Sequence, residues 1–294
     1  MMVVGLGEGS VDYVHVVPRL PEAGVAKLPI RSHYLACGGQ VATAMAACAS
    51  LGLSAGYLGP LGADDNGRRI RTELGRHRVD LSRTIIRDAA TRFAVILVDE
   101  HTGERIVMGH RDEGLDLAPA DVRPALVAGA TVVHVDGTDL RTSIQLARLA
   151  REAGAIVTCD IDAVAPQTRE LLEQVTMPVV ADGVPQALTG VSDLEAALRA
   201  MRLTHGGTLC VTLGERGSAA LDGETFIAVP APQVTPVDTT GAGDVFRAGM
   251  IYGTLQHWPV ERMLRFANTA AAASCTRPGA IAGVPTLAEV SALL

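Results

Sequence analysis

Short, almost continuous apolar runs, each followed by an amphipathic stretch, constrain this chain more than any other feature. Val132-Val133-His134-Val135, Ala155-Ile156-Val157-Thr158, Pro178-Val179-Val180 and Thr208-Leu209-Cys210-Val211-Thr212 read as strands buried on both faces, the pattern of a parallel sheet covered by helices. Between them, residues 141–153 carry an apolar stripe (Ile144, Leu146, Ala147, Leu149, Ala150) that stops at Gly154. Residues 192–203 open with Ser192 and Glu195 in the spacing of a capping box. The expected fold class is α/β, doubly wound around a mostly parallel sheet, with ligands beyond the carboxyl ends of the strands.

Two stretches interrupt the alternation. Residues 12–35 are strand-like and punctuated by Pro18, Pro21 and Pro29, and residues 91–110 place the turn Asp99-Glu100-His101-Thr102-Gly103 between two β-prone arms. They predict a small β lid, formed by 12–35 and 91–111, over an α/β domain formed by 1–11, 36–90 and 112–294. Exposed lid edges predict a homodimer paired through the lid.

Composition narrows the function. A chain of 294 residues with 48% hydrophobic residues buries a substantial core. A net charge of −7 without a basic stripe speaks against nucleic acid, and 3% aromatic residues against base-stacking platforms. No run suits a membrane span and the start lacks the layout of a secretory signal, so a soluble, cytoplasmic protein with a small-molecule partner is expected. Five scattered cysteines without a C-x-x-C pair read as reduced, buried apolar residues.

Among the motifs, Gly5-Leu6-Gly7-Glu8-Gly9-Ser10 has the wrong spacing for dinucleotide binding, and Val11-Asp12-Tyr13-Val14 stays extended where a helix would have to begin. Neither a phosphate loop of the G-x-x-x-x-G-K-[ST] type nor a G-x-S-x-G elbow occurs. The informative segment is Asp238-Thr239-Thr240-Gly241-Ala242-Gly243-Asp244, which runs into the helix-compatible residues 247–255. Small residues before a helix let backbone N–H groups converge where the helix dipole favours negative charge. Asp244 in the first turn is then either a general base beside a bound phosphate or an ordinary helix cap.

The seven residues 238–244 resemble the signature of the ribokinase, or PfkB, carbohydrate kinases, and Gly38-Gly39-Gln40-Val41-Ala42-Thr43-Ala44 resembles their N-terminal signature. The resemblance spans nearly the whole chain. It implies ATP-dependent phosphorylation of a sugar or sugar-like hydroxyl, with Asp244 as base and Gly241, Ala242, Gly243 and Asp244 as an anion hole. It further implies substrate contacts at Asp12, Gly38, Gly39 and Thr43, the last standing where many members have Asn. ATP would be bordered by Thr212, Gly214, Glu215, Gly217 and Asn268. Asp238 and carbonyls at Thr240, Cys275, Pro278 and Ala280 correspond to a monovalent-cation (K+) site.

Magnesium presents a departure, because the family's Asn-x-x-Glu element is replaced by Ala181-Asp182-Gly183-Val184, leaving Asp182 as the charged residue there. Asp160 and Asp162, taken as just past a strand end, are either loop acids or contacts to magnesium-bound water. The C-terminal run Arg265 to Gly279 looks closest to sulfofructose kinases, with Lys27 at their substrate-facing lysine. Gly109 and Thr138 stand where their sulfonate-gripping asparagine and arginine are expected, so that substrate is not carried over. Lys27, Arg92, His110 and Arg111 on the lid suit an anionic or polyhydroxylated acceptor. A nucleoside kinase and a non-catalytic ligand-binding or regulatory protein of the same fold are the alternatives.

Overall fold

The computed structural model describes residues 1–294. Its main sheet has the order β14-β13-β12-β11-β10-β9-β1-β4. Six strands run parallel: β1 (Met2–Leu6), β4 (Ser54–Tyr57), β9 (Val132–Asp136), β10 (Ile156–Ile161), β11 (Met177–Ala181) and β12 (Leu209–Thr212). β13 (Ser218–Asp222) and β14 (Thr225–Val229) add an antiparallel edge. The four apolar runs read from the sequence become β9, β10, β11 and β12.

Side-chain alternation sends neighbouring valines to opposite faces: Val3 and Val132 pack in one apolar layer, Val4 and Val133 in the other. One layer is built with α1 (Gln40–Ser50), α2 (Asp65–Arg76), α7 (Ala242–Leu255), α8 (Val260–Ser274) and α9 (Leu287–Leu293). The other is built with α3 (Leu140–Glu152), α4 (Thr168–Gln174), α5 (Val184–Thr189) and α6 (Leu194–Arg202). α3 matches its apolar stripe. The cap of α6 does not: Asp193, rather than Ser192, accepts the Ala196 amide, and Glu195 pairs instead with Arg199. A carboxylate one residue closer to the helix simply reaches the free amide better.

α7 and α8 cross very closely. A Cβ on Gly249 would stand 2.7 Å from Ala267 Cα, so the alanine-rich face of α8 lets the backbone of α7 approach. That contact anchors α7 and therefore the turn that precedes it.

A second sheet, in the order β3-β2-β7-β8, stands apart from the first. It joins β2 (Ser10–Val17), β3 (Ser32–Gly38), β7 (Phe93–Asp99) and β8 (Arg105–His110), with β2 parallel to β7 and the outer pairs antiparallel. The strands extend past the stretches singled out in the sequence, since β2 begins at Ser10 and β3 continues to Gly38. A two-stranded ribbon of β5 (Pro60–Gly62) and β6 (Ile85–Arg87) completes the set. The cysteines are all unpaired; Cys48, Cys159 and Cys210 are buried, but Cys37, on β3, is half-buried where it lines the groove described below, and Cys275 is half-buried at the C-cap of α8. No helix is long and apolar enough to cross a membrane.

Candidate active site

The strand order reverses direction between β1 and β9, and the groups just beyond those two strand ends meet there. The amide of Glu8 donates to Asp136 Oδ2 at 2.7 Å, and Thr138 N donates to Asp136 Oδ1 at 3.0 Å. A cleft opens over them, lined among others by Glu8, Arg92, Arg111, Asp116, Asp136 and Thr138. Its position is the one where doubly wound sheets bind ligands. Arg92 Nε lies 3.0 Å from Glu8 Oε1, and Arg111 Nη2 lies 2.5 Å from Asp116 Oδ1. Burial raises Asp136 to about 7, although the two amide donors oppose the rise.

A broader groove runs along the second sheet, past Asp12, Cys37, Arg105, Asp238, Thr240 and Ala280. Asp12, on β2, is raised to about 6, first by burial and then by Glu8 and Asp238; no hydrogen bond within the chain engages its carboxylate. Gly38 faces it, with Asp12 Oδ2 3.7 Å from where a Cβ would stand. Gly39 leads into α1 at φ +97°, and a Cβ there would come within 2.6 Å of Glu8 O, so only glycine lets this turn lie on the backbone of β1's extension.

At the start of α7, Gly241 is the N-cap in the left-handed region (φ 81°). The amides of Gly241, Gly243 and Asp244 donate to no group of the chain, while that of Ala242 reaches Thr239 O at 3.3 Å. Three free N–H groups at a helix start form an anion-binding arrangement. The turn is wedged in place, for a Cβ on Gly241 would meet Ala280 Cβ at 2.9 Å and Thr43 Cγ2 at 3.1 Å. Asp238 organises the approach, accepting from Thr240 N and Gly279 N, each at 2.9 Å, and these bonds hold it below the usual carboxylate range despite burial.

Asp244 is half-buried beside Asp160, with the two carboxyl groups close enough to share a hydrogen bond. Burial, then the charge of Asp160, pushes Asp244 well above the usual range, and Arg247 draws it back. Asp160 is not past a strand end: it lies within β10, almost completely buried, with Arg247 Nη2 2.6 Å from its Oδ1. That contact removes it from the set of acids free to meet a magnesium-bound water.

Several other residues stand differently from their sequence reading. Lys27 is exposed in the loop between β2 and β3 and lines neither hollow. Thr43 is fully buried, and its hydroxyl has no partner. Asn268 is buried, and its side-chain amide donates to Val229 O at 3.0 Å, tying α8 to the end of β14. Gly217 (φ 94°) is dictated by packing, since a Cβ would stand 2.1 Å from Val229 O, whereas Gly214 (φ 61°), beside Glu215 and past Thr212 at the end of β12, has open space above it.

The metal readings fare unequally. Asp182 is bound by Arg216 at 2.5 Å, and no group of three acidic, histidine or cysteine side chains is placed to hold an ion, so the residues present do not fit a protein-held magnesium. Cys275 O already accepts from Val237 N and Asp238 N, at 2.8 and 3.2 Å, filling both lone pairs. Thr240, Pro278 and Ala280 keep carbonyls that accept no backbone bond, which leaves three of the four expected carbonyls for a monovalent cation.

Glu8, Asp136 and Arg247 were not singled out by sequence reasoning. Glu8 and Asp136 directly follow or end apolar strands, the position at which this topology gathers ligand groups, and that signal was available. Arg247 lies in an apolar helix, where nothing in one sequence distinguishes a buried arginine from an exposed one.

Residues 2–287 match the profile described as pfkB family carbohydrate kinase. This chain belongs to that family. Fructokinase-1 of Oryza sativa subsp. japonica is 30% identical over 321 residues, covering 100% of this chain and 97% of that protein. The ATP-dependent ribose-1-phosphate kinase of Halopiger xanaduensis is 32% identical over 299 residues, covering 99% and 97%. Among solved structures, Arabidopsis thaliana ribokinase complexed with ribose and ATP superposes with a TM-score of 0.87 at 27% identity, covering 99% of this chain and 97% of that one. As a pfkB carbohydrate kinase the chain is an ATP-dependent sugar-phosphorylating enzyme; its doubly wound, mostly parallel sheet is the one expected from the strand pattern, and the fold is ribokinase-like as the resemblance implied.

Proposed function

We propose that the enzyme transfers the γ-phosphoryl group of ATP to a hydroxyl of a neutral, polyhydroxylated sugar, with Asp244 as base. The observation that carries this reading is the row of free amides at Gly241, Gly243 and Asp244 directly beside a carboxylate of raised proton affinity. The acceptor hydroxyl gives its proton to Asp244, its oxygen bonds to the γ-phosphorus, and the bond from phosphorus to the ADP oxygen breaks. The amides hold the charge on the moving phosphoryl oxygens, which is most of what such a transfer demands of a protein. Asp12 and the Gly38-Gly39 turn orient the sugar, and Gly214 and Glu215 border the nucleotide. Magnesium would arrive with the nucleotide and offset phosphate charge there.

Neutrality of the acceptor follows from charge. Both arginines in the cleft over Glu8 and Asp136 are already matched by carboxylates, and Asp136 and Asp139 add further acids, so a phosphate or sulfonate entering that cleft would find no unpaired cation; Arg105 lies further along the groove past Asp12. The cleft also has no aromatic lining to sandwich a base, which disfavours a nucleoside. With Mg-ATP and a panel of ketoses, aldoses, sugar phosphates and nucleosides, ADP release is expected with a free ketose or aldose and kcat/KM at least about tenfold lower for the sugar phosphates. ADP from no acceptor, with ligand-dependent thermal shifts, would instead identify a binding protein; preference for a phosphorylated sugar would refute the neutral reading.

The second sheet acts in this proposal as a lid whose closure excludes water from the reacting phosphate. Its edges β3 and β8 are unpaired and expose Tyr34, Leu35, Val107 and Met108, an apolar surface suited to a second copy. Sedimentation velocity is expected to show a particle of twice the 30.6 kDa chain mass, dissociated by Val107→Glu; a monomer at micromolar concentration contradicts the dimer.

A further inference from the structure

Beneath the first turn of α7 lies a charged cluster that the transfer itself does not touch. Arg247 and Asp160 are 4% and 2% exposed, with Nη2 and Oδ1 2.6 Å apart. The guanidinium folds back along the helix until Nη1 is 2.7 Å from where a Cβ on Gly243 would stand. It is thus held between the glycine turn and β10, and any residue larger than glycine at 243 would displace it. Half-buried Asp244 flanks Asp160, so two carboxyl groups and one guanidinium form a compact group at the edge of the core.

The pair is poorly built for stability alone. The close contact lacks hydrogen-bond alignment, and both Arg247 Nε and Asp160 Oδ1 have no hydrogen-bond partner. Buried ions with unmatched polar atoms seldom recover their desolvation, which directs attention to what the charge does to its neighbour. Besides Arg247, the charges that act most on the two carboxyl groups are negative: Glu8, from beyond β1, acts on both, and Asp162 on Asp160. His134, on β9, is fully buried, bonded to Thr158 Oγ1 at 2.9 Å and held neutral, lowered to about 3 by burial and by Arg247.

We propose that Arg247 is a positioning residue for catalysis: it binds the negative charge of Asp160, so that Asp244 need not retain the proton two adjacent carboxylates would otherwise share, and can accept one from the sugar. The proposal rests on the reading of Asp244 as base. Without Arg247, the pair keeps a proton to higher pH. Without the Asp160 charge, Asp244 ionises at lower pH.

The test is the pH dependence of kcat/KM for wild type, Arg247→Met, Arg247→Lys and Asp160→Asn, with folding checked by circular dichroism. In Arg247→Met the acid limb is expected to move up by about one pH unit or more, Arg247→Lys should restore part of that shift, and in Asp160→Asn the limb should move down. A structural role alone would lower activity or melting temperature with the limb unmoved, and that result overturns the proposal. Should Arg247→Met fail to fold, Asp160→Asn decides: a limb that stays or rises is equally fatal. Failure of the underlying reading looks different, because wild type itself would then show no acid limb that Asp244→Asn abolishes.

Discussion

Replacing Asp244 by asparagine is expected to lower kcat by about 10²–10⁴-fold while nucleotide affinity changes no more than a few-fold. Asparagine preserves the volume of the side chain but accepts no proton at neutral pH, so the acceptor hydroxyl must attack without a base. The free amides of Gly241 and Gly243 remain, and nucleotide binding with them. Removing one of two neighbouring carboxylates also relieves their repulsion, so the melting temperature should hold or rise even as turnover falls. Steady-state ADP release, nucleotide titration and a thermal melt measure the three quantities. Turnover near the wild-type value would end the assignment of Asp244 as base, and a large fall in stability would show that its role is structural.

The second large effect is expected from Gly241→Ala. At φ 81° an alanine carries the strain of the left-handed region, about 1–2 kcal/mol. Its Cβ would also press on Ala280 at 2.9 Å and on Thr43 at 3.1 Å. Ala280 is buried and Thr43 sits in fully buried α1 packing, so the turn, the freer of the partners, must shift. Displaced amides no longer meet the phosphoryl oxygens, and kcat should fall by about 10²–10³-fold. Gly154→Ala is the control: φ is 79° there too, but a Cβ would meet nothing and the site is distant. It should reproduce the strain, lowering stability by a similar amount, and leave kcat unchanged. Equal kinetic effects from the two substitutions would mean that the wedge at Gly241 has no part in transfer.

The course of the main sheet was legible in the chain because it depends on short-range pattern. Buried parallel strands need short, nearly continuous apolar runs, and Val132–Val135 or Leu209–Val211 supply them wherever they fall. The glycine-flanked turn at 241–244 was legible for the same reason, since a left-handed N-cap and free first-turn amides arise from neighbours in sequence. The Asp193 cap was missed by one residue, as happens where two adjacent side chains compete for one amide. The partners of Asn268 and Asp182, Val229 and Arg216, were not legible because they are far away along the chain, and a carboxylate's availability depends on who else has claimed it.

Local pattern thus decided the strands, the helix stripes and the existence of an anion-binding turn, all of which follow from interactions within a few residues. Tertiary structure alone decided the electrical character of the site. Glu8, Asp136, Asp160, Asp244 and Arg247 come from the segment after β1, two strands and one helix, and only when packing draws them together out of water do their charges act on one another strongly enough to set which of them holds a proton.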